Sequence, residues 1–121
     1  MIEVALNFLS FIKMLLENVP ELKSVYDEHI DDYDELLEHV FMGDVTRFVE
    51  KLYKSDPNSE CLIRILNFID KAFLAEDKKL QELISVSFLE NLSQDEESYL
   101  GIKQLLSDAL RRELSLYESN T

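Results

Sequence analysis

Bases are scarce in this chain: 12 lysines and arginines stand against 25 aspartates and glutamates, for a formal net charge of −13 at pH 7. Phosphate backbones and anionic membranes are met with Lys and Arg, so nucleic acid and membrane are poor partners for such a surface. A basic protein is the better counterpart, because opposite fields speed encounter and select the partner. The plainer alternative is that the acidity only keeps the chain soluble. Turn formers are also few, with two glycines (Gly43, Gly101) and two prolines (Pro20, Pro57) in 121 residues. An all-β domain needs many tight turns, so this scarcity favours helices. Cys61 is the single cysteine, which excludes an intramolecular disulfide. At the head of the apolar run CLIRIL it reads as a small buried hydrophobe. Long apolar runs are missing too. Lys13 and Glu17 interrupt the greasiest stretch, IEVALNFLSFIKMLLENV, before it reaches the about 18 residues of a membrane span. That stretch has no basic start and no small-residue cleavage site, so it does not read as a signal peptide, and the expected location is cytoplasmic.

Hydrophobic residues make up 46% of the chain, enough for one core. Their spacing is helical throughout, and no segment alternates like a half-buried strand. The expected fold is all-α: a single-domain helical bundle of about six or seven helices over residues 1–118, with 119–121 as a frayed tail. Successive short-linked helices could stack as hairpins. The first helix is expected over residues 2–18, with Val4, Phe8, Phe11, Ile12, Leu15 and Leu16 inward and Leu6 and Leu9 widening the stripe. Pro20 opens a second helix, PELKSVYDEHI, and DYDELLEHVF continues it over residues 32–41. Gly43 reads as a stop and Asp44 as the cap of DVTRFVEKLY. Asp56 and Pro57 are placed to start the helix that buries Leu62, Ile65, Leu66, Ile69 and Phe73. DKKLQELISVSFLENL follows as one helix, Ser93–Glu96 (SQDE) fits a capping box, and ESYLGIKQLLSDALRRELSLYE is one helix or two broken near Ser107 and Asp108.

The acids concentrate in YDEHIDDYDELLEH, Tyr26 to His39, which holds seven carboxylates, two histidines and no Lys or Arg. A calcium loop beginning at Asp32 fails, because its sixth position is Leu37 and its twelfth is Gly43. A di-iron Glu-x-x-His pattern fails because Tyr26 and Leu36 stand three residues before the histidines. Glu35 with His39, or His29 with Asp32, could touch one ion, but such pairs are common on helix surfaces, so no metal or cofactor is expected. No G-x-S-x-G elbow surrounds Ser85 or Ser87, and two isolated glycines make no phosphate loop, so an enzyme is not expected. The remaining reading is a partner-binding surface. Asp27, Glu28, Asp31, Asp32, Asp34, Glu35 and Glu38 would face out, with Tyr26 and Tyr33 as aromatic anchors on the same side. Ile30, Leu36, Leu37, Val40 and Phe41 would hold the segment to the core. The competing reading leaves both tyrosines as half-buried helix residues with wet hydroxyls.

In the second half, CLIRILNFIDKAFLAEDKKLQELISVSFLENL followed by a final amphipathic helix resembles a family of small all-helical bacterial proteins. These are encoded among polymorphic-toxin and contact-dependent growth inhibition loci. The likeness spans roughly residues 35–117 and is closest at LISVSFLENL, Leu83 to Leu92, after the helix ending NFIDKAF. The motif is mostly apolar, so it carries packing and no site residues. What the resemblance implies is immunity: binding and neutralising a cognate toxin domain in the cell that makes it. Many such toxins are nucleases with a basic cleft, and an acidic helical protein could cover it. The alternative is a non-enzymatic helical adaptor or scaffold without a toxin partner. A monomer is expected, or a weak homodimer through the greasy first helix.

Overall fold

Helix α1, Phe8–Asn18, starts at a reciprocal cap. The Asn7 side chain accepts the Ser10 amide at 3.1 Å, and Ser10 Oγ accepts the Asn7 amide at 3.0 Å. The computed structural model describes residues 5–94 and 96–118, so residues 2–4 of the expected first helix, and the tail at 119–121, lie outside the described residues. Residues 5 and 6 precede the cap, and neither they nor Asn7 are helical. A distant carboxylate fastens this end. Asp77 Oδ2 accepts the Phe8 amide at 2.8 Å, while its Oδ1 accepts the amides of Lys79 and Leu80 at 3.0 and 3.3 Å and so caps α5, Lys78–Glu82. One carboxylate satisfies two helix N-termini. The Phe8 amide above all holds the Asp77 pKa below its ordinary value.

A single 3-10 turn, Pro20–Leu22, leads into α2, Lys23–Tyr33. The helix expected over 32–41 is not formed. Asp34 takes a left-handed conformation (φ 61°) and ends α2, a conformation that Asp tolerates better than most residues. Helix α3 then runs unbroken from Glu38 to Ser55, straight through Gly43 and Asp44. Gly43 is therefore no stop and Asp44 no cap. A Cβ at Gly43 would meet the Asn91 side chain at 3.4 Å, an ordinary contact, so the helix simply continues through the glycine.

Helix α4, Glu60–Phe73, is capped by Ser59, whose Oγ accepts the Leu62 amide at 3.2 Å. Asp56 instead accepts the Asn58 amide within the preceding turn, so the expected Asp56–Pro57 start is corrected by three residues of turn. Phe11 of α1 stacks on Phe68 of α4 with centroids 5.9 Å apart. Arg64 of α4 holds the 3-10 turn through both carboxylate oxygens of Glu21 and through the Asn18 carbonyl.

The stretch expected as one helix after Asp77 changes its winding. After α5 the chain opens into a π-helical segment, Leu83–Leu89, marked by the Glu90 amide reaching back to the Ser85 carbonyl at 3.1 Å. Its main neighbour is α3. His39, Gly43, Thr46 and Glu50 recur at helical spacing along the α3 face that meets it. Thr46 Oγ1 reaches the Phe88 carbonyl at 2.9 Å, and Glu50 Oε2 accepts the Ser93 amide at 2.9 Å. The Ser93–Glu96 capping box does not form: the Ser93 amide is committed to Glu50, and α6, Ser98–Leu105, begins after Glu97 without a side-chain cap. Leu106 is extended, and Ser107 caps a separate α7, Asp108–Ser115, so the last region is two helices.

The fold is thus an all-α bundle, with no strand among the described residues. Its core joins Phe11 and Leu15 to Phe41, Val45, Ile65, Ile69, Ile84, Phe88, Ile102 and Leu110. Two residues expected inward are not: Leu9 is 92% exposed and Val40 38%.

Gly101 shows how tightly α6 approaches α3. A Cβ there would lie 1.8 Å from the Tyr53 hydroxyl oxygen and 2.2 Å from its Cζ. Gly101→Ala is expected to displace the ring and cost about 1–3 kcal/mol, read from the urea midpoint. The Glu21 pair gives a pH dependence of definite sign. Arg64 lowers the Glu21 pKa from 4.5 to about 2, so the pair stabilises the fold fully above about pH 5 and is lost as pH falls towards 2. The fall in Tm over that range is expected to be smaller in Arg64→Leu than in the parent protein.

Candidate functional site

Around the α2–α3 corner the predicted acidic residues are all on or near the surface. Asp27, Glu28, Asp31 and Asp32 are exposed on α2, Asp34 and Glu35 are exposed in the link, and Glu38 is half-buried at the first position of α3. Asp27 pairs with Lys23 at 3.5 Å, and both ends of that pair are well exposed. Glu28, Asp31, Asp32, Asp34, Glu35 and Glu38 have no ion-pair partner among the described residues. Asp27, Glu28, Asp31 and Asp32 share the solvent side of α2, and the turn at Asp34 ends that row and places Asp34 and Glu35 in the link. Glu28 and Asp32 border a cleft of about 240 Å³ that α3 closes with Asp44, Arg47 and Lys51. Glu38 borders a larger, mainly apolar groove of about 580 Å³ against α1.

The two tyrosines part company. Tyr26 is half-buried, edge-on to Phe41 with centroids 5.7 Å apart, and its ring forms part of the groove wall. Tyr33 is 46% exposed and lies tilted against His29 at 4.9 Å. Only Tyr33 is free to act as an exposed anchor. Tyr26 follows the half-buried reading.

His29 organises the corner, a role its sequence position did not reveal. It is 1% exposed, and its Nε2 accepts the Leu37 amide at 3.0 Å. With Nε2 accepting, the ring proton sits on Nδ1. That atom faces Asp44 Oδ2 at 3.7 Å and has no hydrogen-bond partner. Neither nitrogen is left to ligate an ion, so the His29–Asp32 pair weighed from spacing is not a metal site. The Glu35–His39 pair fails differently: Glu35 sits in the link, outside the helix that carries His39, and His39 Nδ1 lies 2.5 Å from Ser87 Oγ. No group of three His, Cys, Asp or Glu among the described residues could hold a metal. The Ser87–His39 contact has the composition of a nucleophile and base. Ser87 is 5% exposed, however, so a substrate would have to part the α3–π seam to reach it.

Replacing His29 by Phe keeps a ring in the pocket and leaves the Leu37 amide without its acceptor. The expected loss is about 1–3 kcal/mol in chemical denaturation, with faster hydrogen exchange at the Leu37 amide.

No helix among the described residues is long and apolar enough to cross a membrane. No curated protein and no solved structure matches the chain. A family model does, over residues 12–120, which take in the acidic corner, the π-helical segment and both C-terminal helices. On that match the chain belongs to the DUF7674 family, described as a domain of unknown function.

Proposed function

We propose that the protein is an immunity protein that binds a basic toxin domain through its α2–α3 corner and neutralises it stoichiometrically in the cytoplasm. The observation that carries this reading is the cluster of carboxylates left without cationic partners at one hydrogen-bonded corner. Like charges gathered in this way repel and destabilise the free protein, whereas a basic partner turns them into steering charges and acceptors for arginine. The resemblance of LISVSFLENL and its flanking helices to immunity families of toxin loci supports the choice of partner. Blocking requires no chemistry from this chain. If the toxin is a nuclease, the acidic corner covers the basic cleft that its substrate would enter.

The alternative is a helical adaptor with no toxin partner, and the two separate in one experiment. The protein is co-expressed with the product of the gene directly upstream. Rescue from growth arrest, with a co-purifying complex that weakens as salt rises, is the expected result. The triple variant Asp31→Lys, Asp32→Lys, Glu35→Lys is expected to bind at least tenfold more weakly while its far-UV spectrum is unchanged. Unchanged affinity would move the interface elsewhere; no toxicity and no complex would leave the adaptor.

A further inference from the structure

The greasiest helix does not give all its apolar surface to the core. Phe11 and Leu15 are fully buried, whereas Leu9, two residues before Phe11, is 92% exposed. Phe8, Leu9, Ile12 and Leu16 instead form one wall of the groove of about 580 Å³, and Tyr26 and Leu36 contribute the other. That volume lies within the range of ligand sites, roughly 300–1,000 Å³, and accepts several large apolar side chains.

We infer that this groove takes an amphipathic, basic helical segment of the partner protein: apolar side chains enter the groove, and its Lys or Arg residues meet the adjoining carboxylates. The inference rests on the basic-partner reading above and names the segment that reading requires. Charge complementarity selects the occupant. Leu36 of the wall directly follows Asp34 and Glu35, and Glu38 stands on the rim, all three without ion-pair partners among the described residues. Lys23, at the other end, is already paired with Asp27. Lys13 is the rim's opposing charge, and Glu17 stands one turn further along the same helix. A second copy of the chain fits poorly, since each copy carries −13 and would bring a second acidic corner against the first. An anionic lipid surface is repelled on the same ground. The mode is that of an amphipathic helix laid in a groove, anchored through residues on one face.

The test uses a fluorescent synthetic helix of leucine and lysine, with two controls: the same residues scrambled so that no face is apolar, and a version with glutamate in place of lysine. Anisotropy is expected to show binding of the leucine–lysine helix and much weaker binding of both controls. Leu9→Ser, at a side chain the fold barely uses, is expected to weaken it roughly tenfold. Neutralising Asp34, Glu35 and Glu38 as Asn, Gln and Gln is expected to weaken it and flatten its salt dependence. Absence of binding, equal binding of either control, or indifference to Leu9→Ser would each overturn the inference. So would concentration-dependent dimerisation that Leu9→Ser abolishes, which would identify a second copy as the occupant. The toxin assay keeps the two readings apart. Rescue and affinity unchanged in Leu9→Ser would overturn the groove and retain immunity; helix binding with no toxin partner would support the groove and remove immunity.

Discussion

The seam between α3 and the π-helical segment is the constraint on which the other contacts depend. A π-helix is wider than an α-helix and leaves its carbonyls less regularly paired, so it persists only where a neighbour fits its shape and meets its polar groups. Helix α3 does both along one face. Gly43 faces the Asn91 side chain, Thr46 reaches the Phe88 carbonyl, and Glu50 accepts the amide of Ser93 where the chain leaves the segment. His39 closes the other end on Ser87. Because α3 is fixed there, its first turn is fixed too, and with it the link that carries Asp34 and Glu35.

The same helix therefore serves two neighbours of opposite character. Its apolar positions, Phe41, Val45 and Val49, belong to the common core. Its N-terminal end, with Phe41 and Asp44, packs around His29 and sets the geometry of the acidic corner. A corner dense in carboxylates would tend to spread under its own repulsion. The Leu37 amide held by a buried imidazole opposes that tendency with a bond that salt does not screen.

Much of this was legible in the residues. The stripes Leu62, Ile65, Leu66, Ile69 and Leu80, Leu83, Ile84, Phe88 are buried as their spacing requires, because helical periodicity reports which face meets the core. The boundaries were less legible. Gly43 looked like a stop because glycine usually marks one, yet its backbone is not left-handed, and α3 continues through it at a cost of about 1 kcal/mol relative to alanine. The π-helical winding is hidden because one wider turn shifts an apolar stripe too little to be seen in seven residues of LISVSFL. Leu9 looked like core because composition cannot distinguish a face turned to a groove from one turned inward. At the site, the acids and their exposure were readable, while His29 was not: its role depends on an amide that the turn at Asp34 brings to it.

The double cap at Asp77 has a consequence for the order in which this molecule is completed. Helix α1 receives the acceptor for its Phe8 amide from a residue well past the middle of the chain. The wall made by Phe8 and Leu9 is thus tethered to α5 as well as to its own helix. During synthesis, a nascent chain that has not yet exposed Asp77 lacks that fastening, so the groove is finished late. That wall takes its fastened form only when the chain has been made as far as the start of α5.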